Sequence, residues 1–252
     1  SLKNRKYRDE KGLFFIEGTR FVREALVERA DICKIVITDK FHDSPPDKEL
    51  LDSVKHCEYE TCVLTERLFR EVSDTENPQG ILAVVRKKTH SLDRVLSDSS
   101  FILFLDSLQD PGNLGTIIRT ADAAGADGVI LSRGCVDLYN PKVLRATMGS
   151  IFHIPVLQDA DLKEAISIAK TKGFGVYAAH LKGKINYFDV DMKKRTAIII
   201  GNEAKGISDD IAALADMPVR IPMPGRAESL NASVAAGLLM YEVVRSRVHD
   251  RA

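Results

Sequence analysis

Five consecutive apolar residues, Phe101, Ile102, Leu103, Phe104 and Leu105, run directly into Asp106 and a polar stretch. No other feature constrains the fold as much. A run this short is strand-sized, and its side chains are apolar on both alternating faces. Such a strand is stable only when both faces are covered, as in the middle of a parallel sheet sandwiched between helices. A second run, Thr196 to Ile200, has the same character and leads straight into Gly201, Asn202 and Glu203.

The rest of the C-terminal part reads consistently with that centre. Val129 to Leu131 and the stretches near 175–179, 196–200 and 218–221 read as strands. Helical spacing covers about 113–124, 141–149, 161–172 and roughly 229–247, the last with Leu230, Val234, Leu238, Tyr241 and Val244 along one face. Strands alternating with helices predict an α/β fold with a mostly parallel sheet. The N-terminal part alternates as well, with strands expected at 13–16, 34–38, 60–64 and 80–85 and helices at 18–30, 47–56 and 65–72. Residues 86–100 are polar, charged and serine-rich, the composition of a connection. The expected organisation is a smaller N-terminal α/β domain at 1–88, a linker at 89–100 and a catalytic domain at 101–252.

Composition narrows the classes of function. The 36 basic and 36 acidic residues cancel, so any nucleic-acid binding must come from local patches. One patch opens the chain, with Lys3, Arg5, Lys6, Arg8 and Lys11, and another holds Arg86, Lys87, Lys88, His90 and Arg94. Cys33, Cys57, Cys62 and Cys135 form no C-x-x-C pair, and the histidines complete no zinc spacing, so no metal is expected. No apolar run approaches the roughly 18 residues a membrane helix needs, and no signal-peptide pattern opens the chain. A cytoplasmic, reducing location is the expectation. Gly173, Gly175 and Ala178 match a loose dinucleotide pattern, but a helix precedes them and a strand follows, the reverse of the required context.

Three stretches carry polar groups to the ends of strands, where open α/β sheets bind ligands. The first runs from Asp110 through Pro111, Gly112 and Asn113 to Arg119, with Asn113 expected to cap the helix. The guanidinium of Arg119 suits a phosphate or a ribose. The second is Gly201, Asn202, Glu203, Ala204, Lys205, Gly206, Ile207, where Gly201 permits close main-chain approach. In the third, the strand ending at Ile221 meets Pro222, Met223, Pro224 and Gly225, and Ser229, Leu230 and Asn231 open the last helix. Two prolines cannot donate ladder hydrogen bonds, so this loop must bulge.

Together, in this order, these stretches resemble the motif set of the SpoU/TrmH family of RNA ribose 2′-O-methyltransferases, in the SPOUT superfamily. Residues 1–85 more loosely resemble a SpoU substrate-binding domain, notably at Arg8, Gly12 and Glu17 to Gly18. The resemblance implies a parallel sheet with a deep trefoil knot, S-adenosyl-L-methionine as cofactor, structured RNA as substrate and a homodimer. It implies methyl transfer to a ribose 2′-hydroxyl, and the separate N-terminal domain favours ribosomal RNA slightly over transfer RNA. By motif matching, Arg119, Asn113, Glu203, Ser229 and Asn231 carry catalysis. Gly201, Ile221, Leu230, Met223 and Asn231 hold the cofactor. Arg5, Lys6, Arg8, Arg23 and Arg119 are the expected RNA contacts. The competing expectation is a catalytically silent RNA-binding or ribosome-assembly module of the same fold.

Overall fold

The computed structural model describes residues 1–248, and the last four residues of the expected catalytic domain, 249–252, lie outside them. The chain divides into two compact units, residues 1–88 with 139–152, and residues 89–138 with 153–252.

The first unit contains helix α1 (Arg5–Lys11), strand β1 (Leu13–Glu17), α2 (Thr19–Val27), β2 (Ile32–Thr38), α3 (Asp39–Asp43), α4 (Lys48–His56), β3 (Glu60–Leu64), α5 (Glu66–Val72) and β4 (Ile81–Arg86). Its four strands pair in the order β1-β4-β2-β3. The helices begin where short polar side chains take the first free amides. Thr38, Asp47 and Thr65 accept from Phe41, Leu50 and Leu68, respectively. The basic opening run folds mostly as helix α1, capped by Asn4, and keeps Lys3, Arg5, Lys6 and Lys11 exposed while Arg8 is buried.

The second unit begins with α6 (Leu92–Leu96), inside the stretch expected to be linker. Its Val95 and Leu96 are buried in the core with Ile102, Phe104 and Ala165. The apolar spacing of Leu92, Val95 and Leu96 is helical, but serines and charges hide it. After α6 come β5 (Phe101–Leu105), α7 (Pro111–Ala123) and β6 (Gly128–Ser132). Next is α8 (Pro141–Thr147), which groups with the first unit. There the Tyr139 ring sits 4.6 Å from that of Phe14, and Arg145 pairs with Asp74 at 2.6 Å. The chain continues through β7 (Val156–Ala160), α9 (Leu162–Thr171), β8 (Gly175–Ala179), β9 (Ile185–Asn186), β10 (Thr196–Ile200), α10 (Asp209–Ala212), β11 (Met217–Arg220) and α11 (Ala232–Val248). The sequence reading missed β7 and the two-residue β9.

The seven strands of this sheet run in the order β7-β6-β5-β10-β8-β11-β9. Every pairing is parallel. The two apolar runs are neighbours at its centre, with Phe101 opposite Thr196 and Leu105 opposite Ile200. Both strands are buried along their whole length. Each fully buried aliphatic or aromatic side chain contributes roughly 1.5–3 kcal/mol. This pair therefore anchors the sheet and fixes where its carboxyl ends, and the loops after them, must lie. Gly173 lies in the α9-to-β8 turn and Gly175 opens β8, so a helix precedes the glycines and a strand follows, as their context required.

Candidate active site

The loop after β10 is built on a main-chain contact that only glycine allows. A Cβ on Gly201 would lie 2.2 Å from the carbonyl carbon of Gly206 and the nitrogen of Ile207. Main chain cannot yield at that distance, so residue 201 lets the loop fold back on itself. Asn202 then closes the turn. Its amide and carbonyl pair with those of Gly206 at 2.9 Å each, and its Oδ1 accepts from the amides of Ala204 and Lys205. Its Nδ2 donates to the Ser107 carbonyl, tying this loop to the end of β5. Asp106, buried at the same strand end, accepts from the amide and hydroxyl of Ser208 at 2.9 and 2.7 Å.

Glu203 projects from this loop toward the start of α7. Its Oε1 accepts from the Asp110 amide at 2.9 Å and from Asn113 Nδ2 at 3.0 Å, and its Oε2 from the Gln109 amide at 3.1 Å. Burial pushes the Glu203 carboxyl up, but these donors, Asn113 first, outweigh it and hold the pKa below its ordinary value. Such a carboxylate is a weak base and a strong clasp. Asn113 was expected to cap α7, but Asp110 is the cap, its Oδ1 accepting from the Asn113 amide at 2.7 Å. The Asn113 side chain is thereby released for the site. It is 7% exposed, and its Oδ1 accepts from Asn231 Nδ2 at 2.9 Å.

Glu203, Asn113 and Asn231 thus form one hydrogen-bonded line joining three stretches that are 90 and 118 residues apart along the chain. Asn231 is also the amino-terminal cap of α11. Its Oδ1 accepts from the Ser233 amide at 2.9 Å and the Ser233 hydroxyl at 2.6 Å. The helix starts at Ala232, later than expected, and Ser229 stays exposed in the preceding loop.

Beside this line lies a cavity of about 410 Å³. Gly201, Glu203, Ile221, Met223, Ser229 and Leu230 are among its lining residues, with the turn at 179–182 opposite. That turn presses on β11, since a Cβ on Gly183 would lie 2.8 Å from the Val219 carbonyl carbon. The cavity has the size of small-molecule sites, and its lining mixes aliphatic side chains such as Ile221 and Leu230 with polar ones such as His180, Lys182, Lys205 and Asp209.

The remaining expected residues lie elsewhere. Arg119 is exposed on α7, about 9 Å along the helix from Asn113. It makes no hydrogen bond or ion pair with any described residue and does not line the cavity. Arg8 is only 3% exposed, and its guanidinium donates to the Leu2 and Lys3 carbonyls at 2.7 and 2.8 Å. Arg23 grips both carboxylate oxygens of Asp47 at 2.7 and 2.6 Å, bracing α2 against the cap of α4. Those two arginines, expected as phosphate contacts, are committed to holding the first unit together. Arg5 is exposed beside Asp9 at 3.6 Å, and Lys6 is exposed.

Sequence reasoning gave no site role to Asp106 or Asn202, although both stood at the ends of the apolar runs, and missed Gln109 and Gly183. Asp106 and Asn202 each stand immediately or one residue beyond an apolar strand, a signal that was available. Gln109 acts through its amide, which side-chain identity does not reveal.

The model of the SpoU rRNA Methylase family matches residues 100–241, and that of an MRM3-like substrate binding domain matches residues 1–83. The 23S rRNA (guanosine(2553)-2'-O)-methyltransferase RlmP of Bacillus subtilis (strain 168) is 37% identical over 242 residues, covering 96% of this chain and 92% of that protein. A 23S rRNA (uridine(2479)-2'-O)-methyltransferase of Streptomyces viridochromogenes is 32% identical over 257 residues, covering 99% of this chain and 88% of that protein. The crystal structure of the SpoU methyltransferase AviRb from Streptomyces viridochromogenes, in complex with the cofactor AdoMet, matches with a TM-score of 0.88 at 30% identity, over 97% of this chain and 94% of that one.

Proposed function

The chain belongs to the SpoU rRNA methylase family, and from that premise we propose that it methylates a ribose 2′-hydroxyl of 23S ribosomal RNA with S-adenosyl-L-methionine as donor. The observation that carries the reading is the Glu203–Asn113–Asn231 line beside the glycine-walled cavity. It supports one crevice made from all three motifs.

The cavity fits the cofactor. Its size suits a nucleoside-sized ligand, its floor is main chain at residues 201–206, and Ile221 and Leu230 offer aliphatic contact to a planar base. The bound cofactor supplies a methyl group on a sulfonium centre, which leaves as a neutral thioether without help from a metal. The residues of the chain must then align an attacking oxygen and assist loss of its proton. Alignment alone can contribute several kcal/mol. Glu203 serves as a positioning residue, because both its oxygens hold motif-one main chain and Asn113. Ser229 and Asn231 stand at the cavity mouth and the helix start, suited to orienting the ribose. The planar fork of donors on Arg119 suits an anionic oxygen, so it is assigned the stabilisation of negative charge on the 2′-oxygen or a neighbouring phosphate.

Arg119 lies away from the cavity of its own chain, which favours a homodimer in which two copies complete the site. α7 packs against α11, and α11 exposes Val234, Leu238 and Tyr241, two of them 51% exposed. A contiguous apolar face of this kind suits a second copy. A trefoil knot is supported by the sheet order. The connection from β10 to β11 passes the end of β8, and the chain then returns through 221–231 to α11, which packs on β10. The N-terminal domain is assigned RNA capture, with Arg5 and Lys6 as its remaining candidate contacts. The cytoplasm is the proposed location. Among the described residues no helix is long and apolar enough to cross a membrane.

Two measurements test the proposal. Isothermal calorimetry should show S-adenosylhomocysteine binding, and a labelled methyl group should pass from the donor to 23S rRNA transcribed in vitro. Cofactor binding without transfer to that RNA, naked or in ribosomal particles, would favour the silent module.

A further inference from the structure

All pairings in the seven-stranded sheet are parallel, so the loops after its strands emerge along one edge. Arg133 follows β6, Lys205 follows β10, Lys182 follows β8 and Arg226 follows β11. All four are exposed, and none has an ion pair with a described residue. The acids at this edge behave differently. Asp106 binds Ser208, Asp110 caps α7, and Glu203 clasps motif one. Exposed Asp209 and Glu228 are the uncommitted acids among the described residues of these loops. An electrically neutral chain has therefore set a row of open cations along one edge. From β6 to β11 there are four strand steps, so the row spans roughly 19 Å at about 4.8 Å per step.

Two of these cations stand on rigid turns. Lys205 is held by the Asn202 side chain, and the Lys182 amide donates to His180 Nδ1 at 3.1 Å. Both line the cavity, whereas Arg133 and Arg226 do not. The row is thus too wide for the carboxylate of a small cofactor, and its spread suits a polyanion.

We propose that this edge is an RNA-backbone track, in which Arg133, Lys182, Lys205 and Arg226 grip phosphates on either side of the ribose presented to the cavity. The inference rests on the methyltransferase reading and adds to it that the catalytic unit itself sets the register of the RNA.

Filter binding of transcribed 23S rRNA to the full chain, across about 50 to about 200 mM salt, tests this without catalysis. Wild type is compared with the double variants Arg133→Gln/Arg226→Gln and Lys182→Gln/Lys205→Gln. Each should weaken binding about tenfold and flatten the slope of log affinity against log salt by roughly 1.4, the loss of two single-strand contacts. Lys182→Arg/Lys205→Arg, which keeps the charge, should retain the wild-type slope. S-adenosylhomocysteine affinity should stay the same in Arg133→Gln/Arg226→Gln, whose residues lie outside the cavity. Unchanged slopes in both Gln variants would overturn the track. So would weaker S-adenosylhomocysteine binding with unchanged RNA affinity, which would give the lysines to the methyl donor. Flattened slopes in an enzyme that transfers no methyl group would support the track and count against the methyltransferase reading instead.

Discussion

Single side chains divide here into those that hold the crevice and one, Arg119, that lies outside it and to which we assign charge stabilisation. Arg119 has no structural partner to lose among the described residues. Arg119→Ala should therefore lower kcat by about 10²–10³-fold while leaving the melting temperature and S-adenosylhomocysteine affinity unchanged. Loss of cofactor binding in that variant would place the arginine wrongly. Glu203→Gln should behave differently, since a neutral amide cannot accept from three donors as the carboxylate does. A loss of roughly 1.5–3 kcal/mol of charge-assisted hydrogen bonding is expected, read as weaker cofactor affinity and lower melting temperature together. The pH dependence has a definite sign. The folded pKa of Glu203 is depressed, so its contribution is complete above the unfolded carboxylate value and is lost as pH falls through the lower folded one. Between about pH 6 and about pH 9 its ionisation should leave activity flat, and an acid limb in that window abolished by Glu203→Gln would contradict the clasp. The residues of this line were legible in the sequence as polar groups at strand ends. Their mutual bonds were not, because Asn113 looks like a cap until Asp110 is seen to take that role.

At the scale of elements, the loops carry the function and the central strands only aim them. Gly201→Ala puts a Cβ 2.2 Å from main chain at 206–207. The loop must open, at a cost of about 1–3 kcal/mol. For a chain of this size that is roughly 2–4 °C in Tm per kcal/mol, with at least tenfold weaker S-adenosylhomocysteine binding. Melting and calorimetry on one preparation would check both, and wild-type values for both would mean that the tight loop is dispensable. The strongly patterned elements were readable from sequence. β5 and β10 announced themselves because burial on both faces demands unbroken apolar runs. α1 and α6 did not. In α1 the buried residue is Arg8, whose aliphatic stem and bonded head pack like a core side chain. In α6 three apolar residues sit among serines and charges. β7, with only Val156 buried, lacks the alternation that would have marked it.

For the whole molecule, the sheet order and its crossings could not be read from local pattern. Periodicity predicts strands and helices, not which strand lies beside which. The family resemblance implied a parallel sheet, which is observed. It also implied the homodimer that we propose. Tyr241→Asp with Leu238→Asp places charge on the exposed face of α11 and should leave a folded monomer in sedimentation, with methyl transfer reduced at least tenfold if a partner completes the site. A fully active monomer would remove the dimer from the mechanism. The central claim, that this crevice delivers a methyl group to one ribose oxygen of ribosomal RNA, is tested most directly by mapping 2′-O-methyl positions in 23S rRNA from cells with and without the protein. The account predicts a ribose methylation that disappears with the protein and returns with the wild-type chain but not with Arg119→Ala. Identical maps in the two cell populations would contradict it.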